Sequence, residues 1–254
     1  MKTINVLWTS GWDSTFRVLD AAVTKRFAIQ PHYIIDRRRA SHAVEVLTIT
    51  LLTQMITTRY PYARIAPPVL TERTDIPPDP AIDAAFGRLW ETAHLGDQNG
   101  WLARYVRWKG VDGLELCVHD GDKSRQFIAP LATLVEEDGD AVHVVPPGDS
   151  DTARLFANFR FPLLDLTKLD MEEEARTRGF LDIMDRTWFC HSPTADGQPC
   201  GVCNPCTYTI EEGLARRLPE AALRRHANRR RIVNRLWRRA ARTATRTADR
   251  LGIG

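Results

Sequence analysis

Four of the five cysteines, Cys190, Cys200, Cys203 and Cys206, fall within seventeen residues of one another. The spacing Cys190-x9-Cys200-x2-Cys203-x2-Cys206 puts three of these soft ligands on a short loop, and Gly201 and Pro205 permit the tight turn it needs. Four thiolates close a tetrahedral zinc shell with no open position, so the expected metal is structural rather than catalytic. An iron-sulfur cluster competes, because four cysteines ligate those as well. Met1 leads at once into Ile4, Val6, Leu7 and Trp8 without the layout of a signal peptide, and no long apolar run follows. The expectation is a cytoplasmic protein with no membrane association, in whose reducing surroundings metal ligation outranks disulfides. Cys117 stands apart in an apolar run and reads as a buried structural thiol.

The 254 residues, 43% hydrophobic, suffice for one large domain with an appendage. Ile4 to Trp8 is a short apolar run that stops at Thr9-Ser10-Gly11, and from Ser14 to Phe27 the apolar residues take helical spacing. Ile29 to Asp36 reads as a second strand, Ala43 to Ile56 as an inner helix, and Tyr62 to Pro67 as a third strand. Pro67-Pro68 and Pro77-Pro78-Asp79-Pro80 bracket an expected surface loop, after which helices are predicted over 81–93 and 99–108. Leu114 to His119 is a further strand, and the turn-rich stretch Glu136 to Ala153 is expected to be exposed. Thr167 suits the N-cap of a helix that stops at Gly179, Thr207 to Arg217 reads as a helix leaving the cysteines, and another starts at Pro219. Strands alternating with helices imply an α/β fold, a parallel sheet flanked by helices.

A strand that ends in Thr9-Ser10-Gly11-Trp12-Asp13-Ser14-Thr15 and opens directly into a helix aims backbone N–H groups and hydroxyls at an anion. Neither the Walker pattern nor the dinucleotide fingerprint is present, and an ordinary helix cap stays open as the plainer reading. The segment resembles the Ser-Gly-Gly-x-Asp-Ser-Thr signature of PP-loop ATP pyrophosphatases, with Thr9 for the first Ser and Ser10 for the first Gly. Trp188 and the cysteine spacing are similar to the zinc motif of 7-cyano-7-deazaguanine synthases. Pro162-Leu163-Leu164-Asp165-Leu166-Thr167-Lys168 resembles their Pro-Leu-Leu-Asp-Leu-Ser-Lys segment, and Val118-His119 their Val-His strand end. With Asp36, His42 and Glu45, the similarity spans roughly residues 3 to 215.

The resemblance implies a PP-loop fold of the HUP-like, Rossmann-like kind with a C-terminal four-cysteine zinc subdomain. It also implies ATP with Mg2+ as co-substrate and 7-carboxy-7-deazaguanine as the acid that is adenylated and converted to amide and nitrile on the way to queuosine. By motif, Thr9, Ser10, Gly11, Asp13, Ser14 and Thr15 hold the phosphates, while Asp13, Lys168 and His119 are the catalytic candidates. Asp36, His42, Glu45, Asp120 and Asp122 are the substrate-side candidates. The family's Asp-Tyr-Gly-Gln becomes Asp36-Arg37-Arg38-Arg39, its Arg-Asn pair becomes Gln98-Asn99, and its acidic, aromatic loop becomes Asp120-Gly121-Asp122-Lys123-Ser124-Arg125. These departures point to a divergent member that stops at the amide or passes the acyl group to a partner protein's amine, as in anti-phage defence relatives.

From Arg216 to Arg250 thirteen arginines face only Glu220 and Asp249. A nucleic-acid arm, an acidic partner surface and a solvated helix all stay open for that tail. The expected division is an ATP-pyrophosphatase domain over 1–186, a zinc subdomain over 187–217 and a basic helical tail over 218–254. Two other functions remain: a different PP-loop enzyme acting on tRNA, or a zinc-stabilised nucleic-acid or protein-binding module with a decayed loop. A homodimer is also left open.

Overall fold

Residues 2–93 and 95–231 are described by the computed structural model. The first apolar run forms β1 (Thr3–Leu7), and residues 8–11 turn the chain into α1 (Trp12–Leu19), which runs on into a wider π-helical turn at Asp20–Thr24. Then come β2 (Ala28–Ile35), α2 (His42–Arg59), β3 (Arg64–Ile65), β4 (Val69–Glu72), α3 (Pro80–Thr92) and α4 (Gln98–Lys109). The chain continues through β5 (Leu114–Glu115), α5 (Arg125–Ile128), β6 (Thr133–Glu137), β7 (Asp140–Val144), α6 (Asp151–Phe156), β8 (Phe159–Phe161), α7 (Lys168–Thr177) and α8 (Leu181–Met184).

The sheet order is β3-β2-β1-β5-β8-β7-β6, with β4 also on the outer edge of β2. From β3 and β4 to β8 every pairing is parallel; β7 and β6 are antiparallel additions. The order reverses at β1, whose successors β2 to β4 lie on one side and β5 on the other. In an open parallel sheet such a reversal leaves a crevice at the carboxyl ends of the two strands, where the connections part in opposite directions. Alternation along β2 serves both faces: His32 bonds Tyr105 of α4, and Tyr33 bonds Glu45 of α2. One apolar core lies on the α3–α4–α6 side, where Trp101, Tyr105, Val106, Leu114, Phe156, Phe159 and Phe161 are buried together.

Three expectations are corrected. α2 is not an inner helix, since Leu47 is 69% and Leu51 47% exposed; threonines bonded to carbonyls of the preceding turn stand where charges would mark a surface. The loop expected after Pro67-Pro68 contains β4: the prolines interrupt the edge strand, and Val69 resumes pairing on β2 opposite His32. The stretch from Glu136 includes half of a hairpin, β6–β7, turning at Asp138 (φ 54°) and Gly139 (φ 75°), the successive positive angles of a tight hairpin turn. Charge disguised the strands, but the Asp-Gly pair was the available signal.

Two compact units divide the chain after Trp188. The second holds the four cysteines, α9 (Asn204–Glu211), a 3-10 turn at Ala215–Arg217 and helical residues 220–231. α9 starts three residues earlier than the sequence suggests, so Cys206 sits within its first turn. The arginines beyond residue 231, with Ile232, Val233, Leu236 and Trp237, lie outside the described residues.

Candidate active site and metal centre

The turn from β1 into α1 is tied to both elements. Trp8, fully buried, donates from Nε1 to Thr15 Oγ1 at 3.0 Å, which fastens the helix to the strand. Thr9 N donates to Ser14 Oγ at 3.3 Å, and the Thr9 and Ser14 hydroxyls lie 3.4 Å apart. Ser10 has φ 58°, the left-handed conformation that glycine adopts without cost, and its carbonyl accepts from Trp188 N at 2.9 Å. The serine that stands where the resembling signature has its first glycine therefore holds a backbone conformation that glycine adopts readily. Among the described residues, Ser10 Oγ and Asp13 Oδ1 are buried atoms without a hydrogen-bond partner. Asp13 Oδ2 lies 3.5 Å from Lys168 Nζ, so the first turns of α1 and α7 meet at this loop.

Two more loops end nearby strands at the same edge. Asp120 N donates to Leu166 O at 3.0 Å, while Arg125 donates from Nε to Leu164 O at 2.9 Å and from Nη2 to Asp165 Oδ1 at 3.2 Å. Arg125 Nε is also 3.2 Å from Asp120 Oδ1, so one guanidinium joins the segment after β5 to the segment that delivers Lys168. The sequence places Arg125 in the rewritten loop after His119 but gives no sign of this bridge. His119 is buried and its Nδ1 accepts from Gly121 N at 3.0 Å, which leaves the ring proton of the neutral form on Nε2. Asp122 Oδ1 accepts from Ser124 N at 2.7 Å, and Asn99 donates to Ser124 Oγ at 3.3 Å.

The substrate-side candidates near β2 each have their own hydrogen-bond partners. Asp36 is buried and grips Arg38 with both oxygens, at 3.0 and 2.9 Å; that guanidinium holds its carboxyl down at about 2. Arg73 Nη1 stands 3.8 Å from the same carboxylate. Glu45 accepts from Tyr33 Oη at 2.8 Å and from the Ser41 hydroxyl. His42 shares its turn of helix but bonds the Arg39 carbonyl at 2.9 Å.

A buried ionic cluster supports the loop from behind. Arg17 on α1, with a side chain 2% exposed, donates to Glu115 at 2.7 and 2.8 Å and to Asp140 at 3.1 and 2.5 Å. Asp20 is 3.2 Å from the same guanidinium, and Lys25 and Arg178 complete the ring. Burial pushes the Glu115 carboxyl up against the pull of Arg17, and the Arg17 guanidinium stays charged. A glutamate inside the apolar run Leu114–Val118 was the sequence signal, since a buried charge requires a partner. Burial, with Glu115 adding to it, pushes the Cys117 thiol well above its usual range, so it is not a thiolate nucleophile at neutral pH.

In the second unit the four cysteine sulfurs all lie within 4.8 Å of one another. Cys200 Sγ is 3.9 Å from Cys206 Sγ, and Cys203 Sγ is 3.9 Å from Cys190 Sγ. A tetrahedron of metal–sulfur bonds of about 2.3 Å has edges of roughly 3.8 Å, so these residues fit one tetrahedral ion.

Fold and loops together define an α/β protein with a tight strand-to-helix turn at a reversal of a mostly parallel sheet, and a four-cysteine cluster whose sulfurs could hold a metal ion. In sequence the chain is similar to a 7-cyano-7-deazaguanine synthase of Rhizorhabdus wittichii, 29% identical over 151 residues, which span 54% of this chain and 57% of that one. The aligned region is thus little more than half of the relative's length. No family model matches. Among solved structures, the U34-tRNA thiolase NcsA of Methanococcus maripaludis, with its [4Fe-4S] cluster, overlaps 92% of this chain and 72% of its own at 11% identity and a TM-score of 0.37. An overlap that loose carries no argument about site or activity. Among the described residues no helix is long and apolar enough to cross a membrane.

Proposed function

We propose that this chain uses ATP to adenylate the carboxylate of a 7-deazaguanine-type acid and passes the acyl group to a nitrogen nucleophile. The observation that carries the reading is the Asp13–Lys168 pair across a turn whose Ser10 holds a left-handed backbone. A carboxylate becomes an acyl donor only once its oxygen is a good leaving group. One of its oxygens attacks the α-phosphorus of ATP, the bond to the bridging oxygen of the β-phosphate breaks, and pyrophosphate leaves with the negative charge. The nitrogen lone pair then forms the C–N bond, AMP departs with the electron pair of the C–O bond, and the nitrogen loses its surplus proton to solvent.

In this reading Thr9, Ser10, Gly11, Ser14 and Thr15 surround the phosphates, with backbone N–H groups at the start of α1 and the Lys168 ammonium as counter-charges. Asp13 Oδ1, lacking a protein partner, suits Mg2+, which neutralises charge on the departing pyrophosphate when bound. His119, with its proton on Nε2, donates a hydrogen bond to substrate. Asp36, His42, Glu45, Asp120 and Asp122 act on the substrate side through the groups they hold. The cysteines hold a structural zinc; the short sulfur separations support a single ion, because a [4Fe-4S] cube sets its four thiolates on four separate irons and spreads them further apart. Arg37 to Arg39, where the synthases carry Tyr-Gly-Gln after the strand-end aspartate, support an acceptor other than ammonia, a partner protein's amine in the manner of anti-phage conjugation.

The test is pyrophosphate release from Mg-ATP by zinc-loaded protein, with and without 7-carboxy-7-deazaguanine. Release that needs the acid and is lost in D13A supports adenylation; release indifferent to the acid sinks this substrate class. Free nitrile formed from acid and ammonia, detected by mass spectrometry, would rule out the protein acceptor.

A further inference from the structure

The helical residues 220–231 lie beyond the stretch that resembles the synthases, yet they are built onto the cysteine loop. Ala222, Arg225, His226 and Arg229 follow the i, i+3, i+4, i+7 spacing of one helix face, and Ala222 and His226 are buried. Gly201 (φ 78°) makes room for that face: a Cβ there would stand 2.1 Å from the Ala222 carbonyl oxygen. Arg225 donates from Nε to Cys200 O at 2.8 Å and from Nη2 to Pro199 O at 3.0 Å, and Arg229 donates to Val202 O.

The N–H groups of the same peptide units point the other way, at sulfur. Cys200 N donates to Cys190 Sγ at 3.2 Å, across the peptide bond from the Pro199 carbonyl that Arg225 holds. Gly201 N bonds the Cys206 sulfur, across from the Cys200 carbonyl that Arg225 also holds. Cys203 N donates to Cys200 Sγ at 3.2 Å, across from the Val202 carbonyl that Arg229 holds. Three peptide units are thus each wired from a guanidinium on the outside to a cysteine sulfur on the inside. Hydrogen bonds in such chains polarise one another, so a positive charge on the carbonyl side strengthens the N–H bond to an anionic sulfur.

We propose that Arg225 and Arg229 are positioning residues of the metal centre: they stabilise the ligating thiolates through the peptide groups of residues 199–203, so helix 220–231 clamps the metal in place. Two of the tail's arginines are thereby spent on the protein itself rather than on nucleic acid. By linkage, the metal must hold the helix as firmly as the helix holds the metal. The inference rests on the metal reading of the four cysteines and is independent of the ATP chemistry.

The test uses the full chain loaded with zinc and follows transfer of zinc to a chromogenic chelator. Arg224, paired with Glu220 on the same helix, supplies a control of equal charge. Outer-shell partners are worth roughly 10–100-fold in metal affinity. R225A should release zinc at least about tenfold faster than wild type, and R224A at the wild-type rate. R225K, which keeps the charge but not the two-pronged fork, should fall between. In cobalt-substituted protein, R225A should move the thiolate-to-metal charge-transfer band to longer wavelength, an effect that loosened packing elsewhere would not produce. Release by R225A at the R224A rate with an unmoved band overturns the clamp. If R225A does not fold, R225K carries the test, and R225K releasing zinc at the R224A rate overturns it. A protein that binds no zinc overturns the metal reading and the clamp together, whereas one zinc per chain with unchanged release overturns the clamp alone.

Discussion

Lys168 Nζ stands 3.5 Å from Asp13 Oδ2, joining the first residue of α7 to the first turn of α1 across the loop that leaves β1. In the proposed reaction the lysine meets the polyphosphate directly and the acid meets it through Mg2+. Replacing Lys168 with alanine should lower acid-dependent pyrophosphate release about 100-fold, the usual effect of removing one preorganised donor from a developing charge. D13A should reduce it at least as much. Retained release in both variants, measured at saturating Mg-ATP, would remove this pair from the chemistry.

Ser10 is non-glycine at φ 58° and its hydroxyl is buried without a partner. Left-handed backbone costs a non-glycine residue roughly 1–2 kcal/mol, partly offset by the greater freedom of glycine in the unfolded chain. S10G should therefore stabilise the protein by about 1 kcal/mol, seen calorimetrically as a rise of roughly 2–4 °C in Tm. A fall in Tm would mean that the serine is held by contacts worth more than the strain.

Glu115 and Arg17 form the centre of the buried ionic cluster, with side chains 1% and 2% exposed. E115A leaves a guanidinium buried with part of its compensation gone, at a cost of about 3 kcal/mol. A scan should show Tm lower by roughly 6–12 °C. A drop of less than about 2 °C would mean that water reaches Arg17.

Asp36 titrates at about 2 because Arg38 grips it. A carboxyl whose folded pKa lies below its unfolded value adds stability that is complete above the unfolded pKa near 4 and vanishes as pH falls through 2. Arg38 is largely exposed, so screening limits this contribution to on the order of 1 kcal/mol. Urea melts of wild type and D36N should differ at pH 6 and converge toward pH 2; a gap that stays constant would show that the aspartate's charge is not involved.

Replacing Cys200 or Cys206 with serine should abolish stoichiometric zinc and expose the segment after Trp188 to trypsin, with residues before it still protected. Wild-type protein purified without oxygen should contain one zinc per chain and show no visible iron-sulfur absorption. A brown protein with iron and sulfide would replace the zinc reading by a cluster.

Much of this was legible along the chain because it rests on local physics. The N-terminal strand-to-helix turn, the Thr167 cap, the helices of residues 80–92 and 98–109 and the four-cysteine loop each depend on side chains a few residues apart, and periodicity or spacing reports them directly. The hairpin over 133–144 was legible in principle through Asp138-Gly139 and was obscured by charge. Other relationships needed the folded chain. Glu115 meets Arg17 from 98 residues away and Asp140 meets it from 123, so neither pairing leaves a pattern in any short window. The resumption of pairing at Val69, the Arg125 bridge and the arginines that back the cysteine peptides are also set by which elements lie side by side. The sequence alone determined which chemical groups the chain carries and which short segments can order themselves. Tertiary structure decided which distant charges share a low-dielectric interior, because a buried charge is tolerated only where the fold delivers its partner.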